Sequence, residues 1–305
     1  MQIQRVGVLM GGLSAEREVS LGSGHAVAEG LRRAGFDVVE IDVGRDLAVR
    51  LAHASVDAVY IALHGRLGED GTVQGLLEVM GIPYTGSGVL SCAVCMDKIL
   101  SRSVLRACHV PVAPGFELQC VDDDLPSGWT LPVVVKPSDE GSSVGVTIVK
   151  QQVQWKPALE LAFQCSHRVL VEKYVHGKEI TVAVLDGEPL GTLEIEPRAE
   201  FYDYQSKYAP GGSLHHVPAR IQEHRTQRAL EIAKRAFAAL GCAGAARVDM
   251  IVPSDENDDL IVLEVNTIPG MTERSLLPEI AAWAGIGFDE LVARLVRSAS
   301  TKVRV

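Results

Sequence analysis

Positive charge is in short supply here: 29 lysines and arginines stand against 39 aspartates and glutamates, a net charge of −10. A nonspecific grip on nucleic acid or on an anionic membrane is therefore not expected, and any anionic ligand must be held by a few local cations. Also lacking is the charged, then apolar, then small-residue pattern of an export signal. The chain runs straight into RVGVLM, so a cytoplasmic setting is expected. No apolar run of membrane length is unbroken. The longest uncharged stretch, Val79 to Met96, is interrupted by Gly81, Pro83, Gly86 and Gly88 and reads as turn and loop, with no membrane insertion. Cysteines number 6 and are scattered, which fits free thiols better than a disulfide framework. Cys92 and Cys95 form a C-x-x-C with no second such pair, too little for a four-ligand zinc site, so buried thiols are expected. Neither a G-x4-G-K-[ST] loop nor a strand followed by G-x-G-x-x-G occurs, so the two commonest glycine-rich phosphate loops are excluded.

What is present is α/β patterning over 305 residues, enough for two or three domains. RVGVLM (Arg5 to Met10), DVVEID and DAVYIAL read as strands, and Ser20 to Arg33 has helical spacing that stops at Gly35. This β-α-β alternation argues for a parallel sheet, whose ligands collect at the strand C-termini. Two loops fall there: GGLSAEREVS after the first strand, and HGRLGEDG from His64 to Gly71. A second region opens near Met96 with the helix DKILSRSVLRA, followed by LPVVVKPS, the loop DEGSSVG, the strand VTIV, an amphipathic helix and RVLVEKYV. In a third region, EITVAVLDGEPLGTLEI reads as a hairpin about Asp186-Gly187. A loop rich in Tyr, Gly and His comes next, then a helix from Arg225 to Leu240. The strands ARVDMIV and LIVLEVN follow, joined by a polar turn from Ser254 to Asp259.

Chemistry can be placed on this frame. Arg247 and Asp249 lie two apart on one strand, and Glu264 and Asn266 two apart on the next, so each pair shares a face. If the strands pair antiparallel, Asp249, Glu264 and Asn266 converge as hard oxygen ligands suited to magnesium; the spacing alone leaves open a half-exposed polar sheet face. Lys136 ends the strand PVVVK, and EGSSVG beyond it offers backbone N–H groups and hydroxyls that could cover phosphates. Lys98 opens a helix, an unfavourable place for a cation unless an anion is nearby.

The segments GGLSAEREVS, HGRLGEDGTVQG, PYTGSG, MDK, VVKPSDEGSSVG, EKYVHGKEITV, FYDYQSKY, ARVDM and EVNTIPGMTERS, in this order, resemble the D-alanine:D-alanine ligases of the ATP-grasp superfamily nearly end to end. The resemblance implies an α/β, three-domain ATP-grasp fold. An N-terminal parallel-sheet (pre-ATP-grasp) domain over 1–95 binds substrate. A central α+β ATP-grasp subdomain covers 96–177, and a C-terminal α+β ATP-grasp subdomain over 178–305 carries the metal and catalytic site. It implies ATP-dependent joining of two D-alanines through a D-alanyl phosphate, for peptidoglycan synthesis, by a cytoplasmic homodimer using ATP and two Mg2+ ions, for which Mn2+ can substitute.

Residue by residue, the resemblance matches Glu16 to the partner of the first D-alanine's ammonium, with Ser142 and Tyr208 as hydroxyls that orient it, and His64 to a residue beside its carboxylate. Lys98, Lys136 and Lys207 match phosphate-contacting lysines, and Ser142 and Ser143 lie on the loop above them. Glu172, Lys173, Tyr174 and Val175 match the hinge that contacts adenine, and Glu179 the ribose position. Arg247 and the Gly270 N–H match the pair that stabilises the tetrahedral intermediate. Ser275 and Leu276 fall where the second D-alanine's carboxylate binds, and Asp249, Glu264 and Asn266 are the metal ligands. Two positions depart from the pattern: Ile268, where serine or leucine is frequent, and Arg274, where histidine is often found, which puts acceptor affinity in question. Tyr208 argues for an amine acceptor over D-lactate. Ligases with D-lactate or D-serine as acceptor, and a nucleotide-binding regulator on the same fold, are the competing readings. The segment Gln205 to His216 is expected to be a lid, with His215 and His216 as solvated loop residues.

Overall fold

The computed structural model describes residues 3–197, 212–272 and 274–303. The chain opens with β1 (Arg5–Met10), α1 (Arg17–Arg33), β2 (Asp37–Asp42), α2 (Leu47–Ala54), β3 (Ala58–Ile61) and α3 (Thr72–Met80). The three strands form a parallel sheet in the order β2-β1-β3. α1 buries Ser20, Ser23, Gly24, Val27, Ala28 and Leu31, a stripe at three- and four-residue spacing. It closes where Gly35 takes a left-handed φ of 91° and the Phe36 N–H donates to the Leu31 carbonyl at 3.0 Å.

The middle of the chain adds α4 (Val89–Met96), α5 (Lys98–Ala107), β4 (Gly115–Leu118), β5 (Val133–Pro137), β6 (Thr147–Val149), α6 (Trp155–Cys165) and β7 (Val169–Lys173). Its strands pair antiparallel in the order β4-β7-β5-β6. α4 corrects the turn-and-loop reading of Val79 to Met96: its glycines stop at Gly88, and the small residues beyond bury Ser91, Cys92 and Cys95 along one side of a short helix. No helix among the described residues is long and apolar enough to cross a membrane. Cys95 Sγ sits 4.0 Å from Cys242 Sγ, and every cysteine is a free thiol.

The last part contains β8 (Gly177–Leu185), β9 (Glu188–Pro197), β10 (Ser213–His216), α7 (Glu223–Ala239), β11 (Ala245–Pro253), β12 (Ile261–Asn266), α8 (Leu276–Trp283) and α9 (Phe288–Arg297). The antiparallel sheet runs β10-β9-β8-β11-β12. Asp186 and Gly187 both have positive φ, 51° and 85°, as a two-residue hairpin whose twist matches its strands requires. His215 and His216 are not solvated loop residues: they lie in β10, His215 Nδ1 2.8 Å from Glu279 and His216 Nε2 2.8 Å from Glu196, because β10 pairs with β9. The rest of the expected lid, from Gln205 to Gly211, lies outside the described residues.

The sheets share cores. α8 and α9 return to the first sheet, so Val6, Val27 and Leu31 pack in one cluster with Leu193, Leu277, Ile280 and Leu291. Another cluster holds α7 against β8 and β11.

Candidate active site

β11 and β12 are joined by the Ser254–Asp259 turn and pair antiparallel, with Arg247 opposite Asn266 and Asp249 opposite Glu264. A bulge follows, so that Met250 pairs with Val262 and Leu263 is the extra residue. The slip reverses the parity of β12. Ile261 and Leu263 thereby line the same cleft as Glu264, alongside Asp249 and Ile251 from β11. Apolar walls and charged floor thus come from one hairpin.

That cleft has a volume of about 380 Å³ and lies between the middle and last sheets. Its lining is apolar at Val134, Val146, Ile148, Ile251 and Leu263 and polar or charged at Lys98, Lys136, Ser143, Asp249 and Glu264. Glu172, Lys173, Tyr174, Val175 and Glu179 line it as well. A cleft that combines apolar side chains with lysines suits a flat base with a phosphate tail. Glu172 is buried and paired with Lys136 and, at 3.4 Å, with Arg102. The Lys173 and Tyr174 N–H groups donate to the Pro114 and Pro132 carbonyls at 2.9 and 3.3 Å.

Lys98 is the first residue of α5, and Asp97 offsets the unfavourable placement by accepting from the Ile99 and Leu100 N–H groups at 2.9 and 3.0 Å. Lys98 Nζ donates to the Glu140 carbonyl and lies 3.8 Å from Glu264. Ser142 and Ser143 both have left-handed backbones, φ 51° and 61°. Such conformations cost on the order of 1–3 kcal/mol each and persist where their surroundings impose them. Here Ser142 Oγ donates to Glu16 Oε1 across the interface with the first domain.

Glu16 rests against Gly65, where φ is 71° and an added Cβ would lie 2.6 Å from Glu16 Oε2, so only glycine admits the carboxylate. His64 is buried. Burial, then the charge of Arg247, pull its pKa down to about 4 despite a hydrogen bond to the Ile268 backbone. It is therefore a neutral imidazole, with Nε2 3.2 Å from Ser23 Oγ. Ser23 Oγ also accepts from the Met271 N–H at 3.2 Å, so one hydroxyl joins α1, the His64 loop and the turn after β12. Ile268, the unexplained departure, packs its side chain on the cluster that contains Leu63 and Tyr84.

Asp249 is buried and accepts from Thr181 Oγ1 at 2.6 Å, from Arg247 at 2.9 and 2.8 Å, and from Asn266 Nδ2 at 3.0 Å. Ser275 precedes α8 and accepts from the Thr272 N–H at 2.9 Å, while Leu276 turns its side chain into the core, so a ligand there meets its backbone alone. An added Cβ at Gly270 would stand 2.9 Å from Ser275 Oγ. Lys207 and Tyr208 lie outside the described residues.

Two residues escaped sequence reasoning. Ser23 looked like one more small residue on an amphipathic helix. Glu69 lies within HGRLGEDG and carried the only available signal, membership of a resembling segment. Burial and then the charge of Glu16 push its carboxyl up to about 8, although the Gly65 N–H donates to it at 2.7 Å.

No group of three His, Cys, Asp or Glu among the described residues is arranged as a metal cluster. The donors that face one another across β11 and β12 are two carboxylates and an amide, hard oxygen chemistry that fits a divalent cation such as magnesium. Asp249 is meanwhile satisfied by Arg247, Thr181 and Asn266.

A parallel-sheet domain followed by two antiparallel α+β units that enclose a lysine-lined cleft defines an ATP-grasp protein. Family models described as the D-ala D-ala ligase N-terminus and C-terminus match residues 46–87 and 119–297. The chain is 52% identical over 300 residues to a D-alanine–D-alanine ligase of Citrifermentans bemidjiense, covering 98% of this chain and 97% of that one. It is 49% identical to another of Geotalea uraniireducens, covering 99% and 98%. Among solved structures, a D-alanine–D-alanine ligase of Bacillus anthracis complexed with ATP superposes with a TM-score of 0.84 at 35% identity over 97% of both chains. A D-Ala:D-Ser ligase of Enterococcus faecalis gives 0.83 at 30% identity over 97% and 99%. The chain belongs to the D-alanine–D-alanine ligase family.

Proposed function

We propose that this protein joins two D-alanine molecules to D-alanyl-D-alanine: ATP phosphorylates the carboxylate of the first, releasing ADP, and the amine of the second displaces phosphate from that D-alanyl phosphate, supplying peptidoglycan precursors. The observation that carries the reading is the pairing of Asp249 with Glu264 and of Arg247 with Asn266 across one hairpin, the two carboxylates lining a cleft that also presents Lys98, Lys136 and apolar side chains. The first D-alanine lies near Glu16, which pairs with its ammonium and is itself oriented by Ser142 and, on the resemblance, by Tyr208. Neutral His64 shapes the neighbouring wall without adding charge there.

Adenine lies between Ile148, Ile251 and Leu263. Because the Lys173 and Tyr174 N–H groups are engaged, N–H recognition of its edge falls to Val175. Glu179 takes the ribose. Lys98, Lys136 and Lys207 face the phosphates, beneath Ser142 and Ser143. Asp249, Glu264 and Asn266 would hold two Mg2+ ions, or Mn2+, whose charge when bound neutralises the transferring phosphoryl group. Arg247 and the Gly270 N–H stabilise the tetrahedral oxyanion formed when the second amine attacks the acyl carbon. Ser275 and the Leu276 N–H, at the positive end of α8, receive the acceptor carboxylate.

Three units over 1–95, 96–177 and 178–305, a homodimer and a cytoplasmic setting belong to the same reading and rest on the resemblance. The test is phosphate release from ATP that requires both D-alanine and magnesium, with the product identified by mass. A well-folded sample that releases none refutes the assignment, and a product formed with D-serine or D-lactate in preference to D-alanine redirects it.

A further inference from the structure

We propose that Arg66 is a positioning residue for this reaction, a latch that holds the 139–145 loop shut over the nucleotide; the inference rests on the proposed function. Arg66 belongs to the loop after β3, in the first domain. Its guanidinium reaches the loop that follows β5, Nη2 2.9 Å and Nε 3.2 Å from Glu140 Oε1, and Nη2 3.1 Å from Asp139 Oδ2. One planar fork therefore spans two successive carboxylates, a geometry that lysine cannot reproduce.

The loop needs such a hold. Ser142 and Ser143 hold left-handed backbones as the central pair of a turn closed by the Val144 N–H on the Gly141 carbonyl at 3.1 Å, a conformation that carries a free-energy cost. Asp139 Oδ1 is buried with no hydrogen-bond partner among the described residues, so the charge on this carboxylate is compensated through its other oxygen, by Arg66. Glu140 is the pivot: its side chain accepts from Arg66, and its carbonyl accepts from Lys98 Nζ, which lines the cleft with it. Two residues further on, Ser142 reaches Glu16. Closing the Arg66 contact thus sets the loop over the phosphates and aims Ser142 at the first substrate's binding carboxylate together.

A device that raises the closed fraction lowers the apparent nucleotide dissociation constant by that fraction and leaves the rate at saturation alone. Arg66→Ala is expected to raise KM for ATP about threefold to tenfold, the range open to a half-exposed charged contact, with kcat within about twofold of wild type. Arg66→Lys recovers part of the loss. Glu140→Gln gives a rise no larger than that of Arg66→Ala, and the double variant is no worse than Arg66→Ala alone, since the Arg66–Glu140 contact is already gone there. An unchanged KM, or losses that multiply in the double variant, overturn the latch. A second arm uses no turnover: amide hydrogen exchange of residues 139–146 in the nucleotide-free protein is expected to quicken by about threefold to tenfold in Arg66→Ala. Equal exchange in both proteins overturns the latch whatever the kinetics. Wild-type protein that lacks D-alanine-dependent turnover refutes the proposed function instead, and leaves the exchange arm to decide on Arg66.

Discussion

The floor and the roof of the cleft are built by different physics. The floor is a hairpin: Arg247, Asp249, Glu264 and Asn266 are held by the β11–β12 ladder, and Asp249 is further held by Thr181 of β8. The roof is the 139–145 loop, tied to the rest of the molecule through Ser142 to Glu16, the Glu140 side chain to Arg66 and the Glu140 carbonyl to Lys98. A ladder positions by backbone pairing, so its side chains are preorganised before any ligand arrives. A loop hung on charged contacts can be released, which suits a cover that must open to admit nucleotide. Substitutions in the floor should therefore damage chemistry or folding, and substitutions in the roof should alter binding and orientation while stability stays nearly constant.

The largest expected effect is at Glu264. Glu264→Gln keeps the shape but removes a charge from the donors proposed to hold magnesium, and turnover should fall about 1000-fold or more with Tm nearly unchanged. Phosphate-release kinetics beside a melting curve measure both, and full turnover would remove Glu264 from the metal site. Arg247→Met tests the floor's structural side. Its guanidinium is the cationic partner of an Asp249 side chain only 7% exposed, and stranding that charge should cost roughly 3 kcal/mol of stability as well as activity. Ser142→Ala is the counterpart in the roof: kcat should drop about tenfold to 100-fold while Tm moves by less than about 2 °C. Equal losses of stability in the two variants would erase the distinction between floor and roof.

A smaller effect separates two groups in the wall by pH. Glu69 has a folded pKa near 8, above its unfolded value. Its proton is kept by the folded chain and lost by the unfolded one between those values, so its contribution to stability is complete in acid and disappears as pH rises towards 8. Glu69→Gln should flatten that decline and melt higher than wild type near pH 8. His64 works in the opposite sense. With a folded pKa near 4 against about 6.5 unfolded, it contributes fully above pH 6.5, and this contribution is lost as pH falls towards 4. His64→Gln should remove that acid-side loss. Melting curves from pH 4 to 8 check both, and parallel profiles for wild type and variants would contradict the assigned burial of the two groups. The smallest effect is the KM shift at Arg66.

Much of this molecule was legible beforehand, for reasons that differ by region. The strand from Arg5 to Met10 and the hairpin at Asp186-Gly187 announce themselves by apolar runs and a left-handed turn pair. Glu264 and Asn266 announce a shared face by their spacing alone. Val89–Met96 was not legible as a helix, because glycine and proline upstream masked a segment whose buried residues are small. His215 and His216 belong to a strand through pairing with β9, which no local pattern near them records. Ile268 became intelligible only when its side chain was found on the first domain's core.

Local periodicity therefore determined from the sequence which residues could share a face, and the ordered resembling segments determined the family. The tertiary structure alone decided three further matters. The bulge after Asp249 turns Ile261 and Leu263 to the same cleft as Glu264, because one unpaired residue reverses parity in a way that composition does not encode. Burial among distant elements leaves His64 neutral and Glu69 protonated, since desolvation depends on neighbours from across the chain. And Arg66 meets Glu140, 74 residues away, only because two domains close on each other.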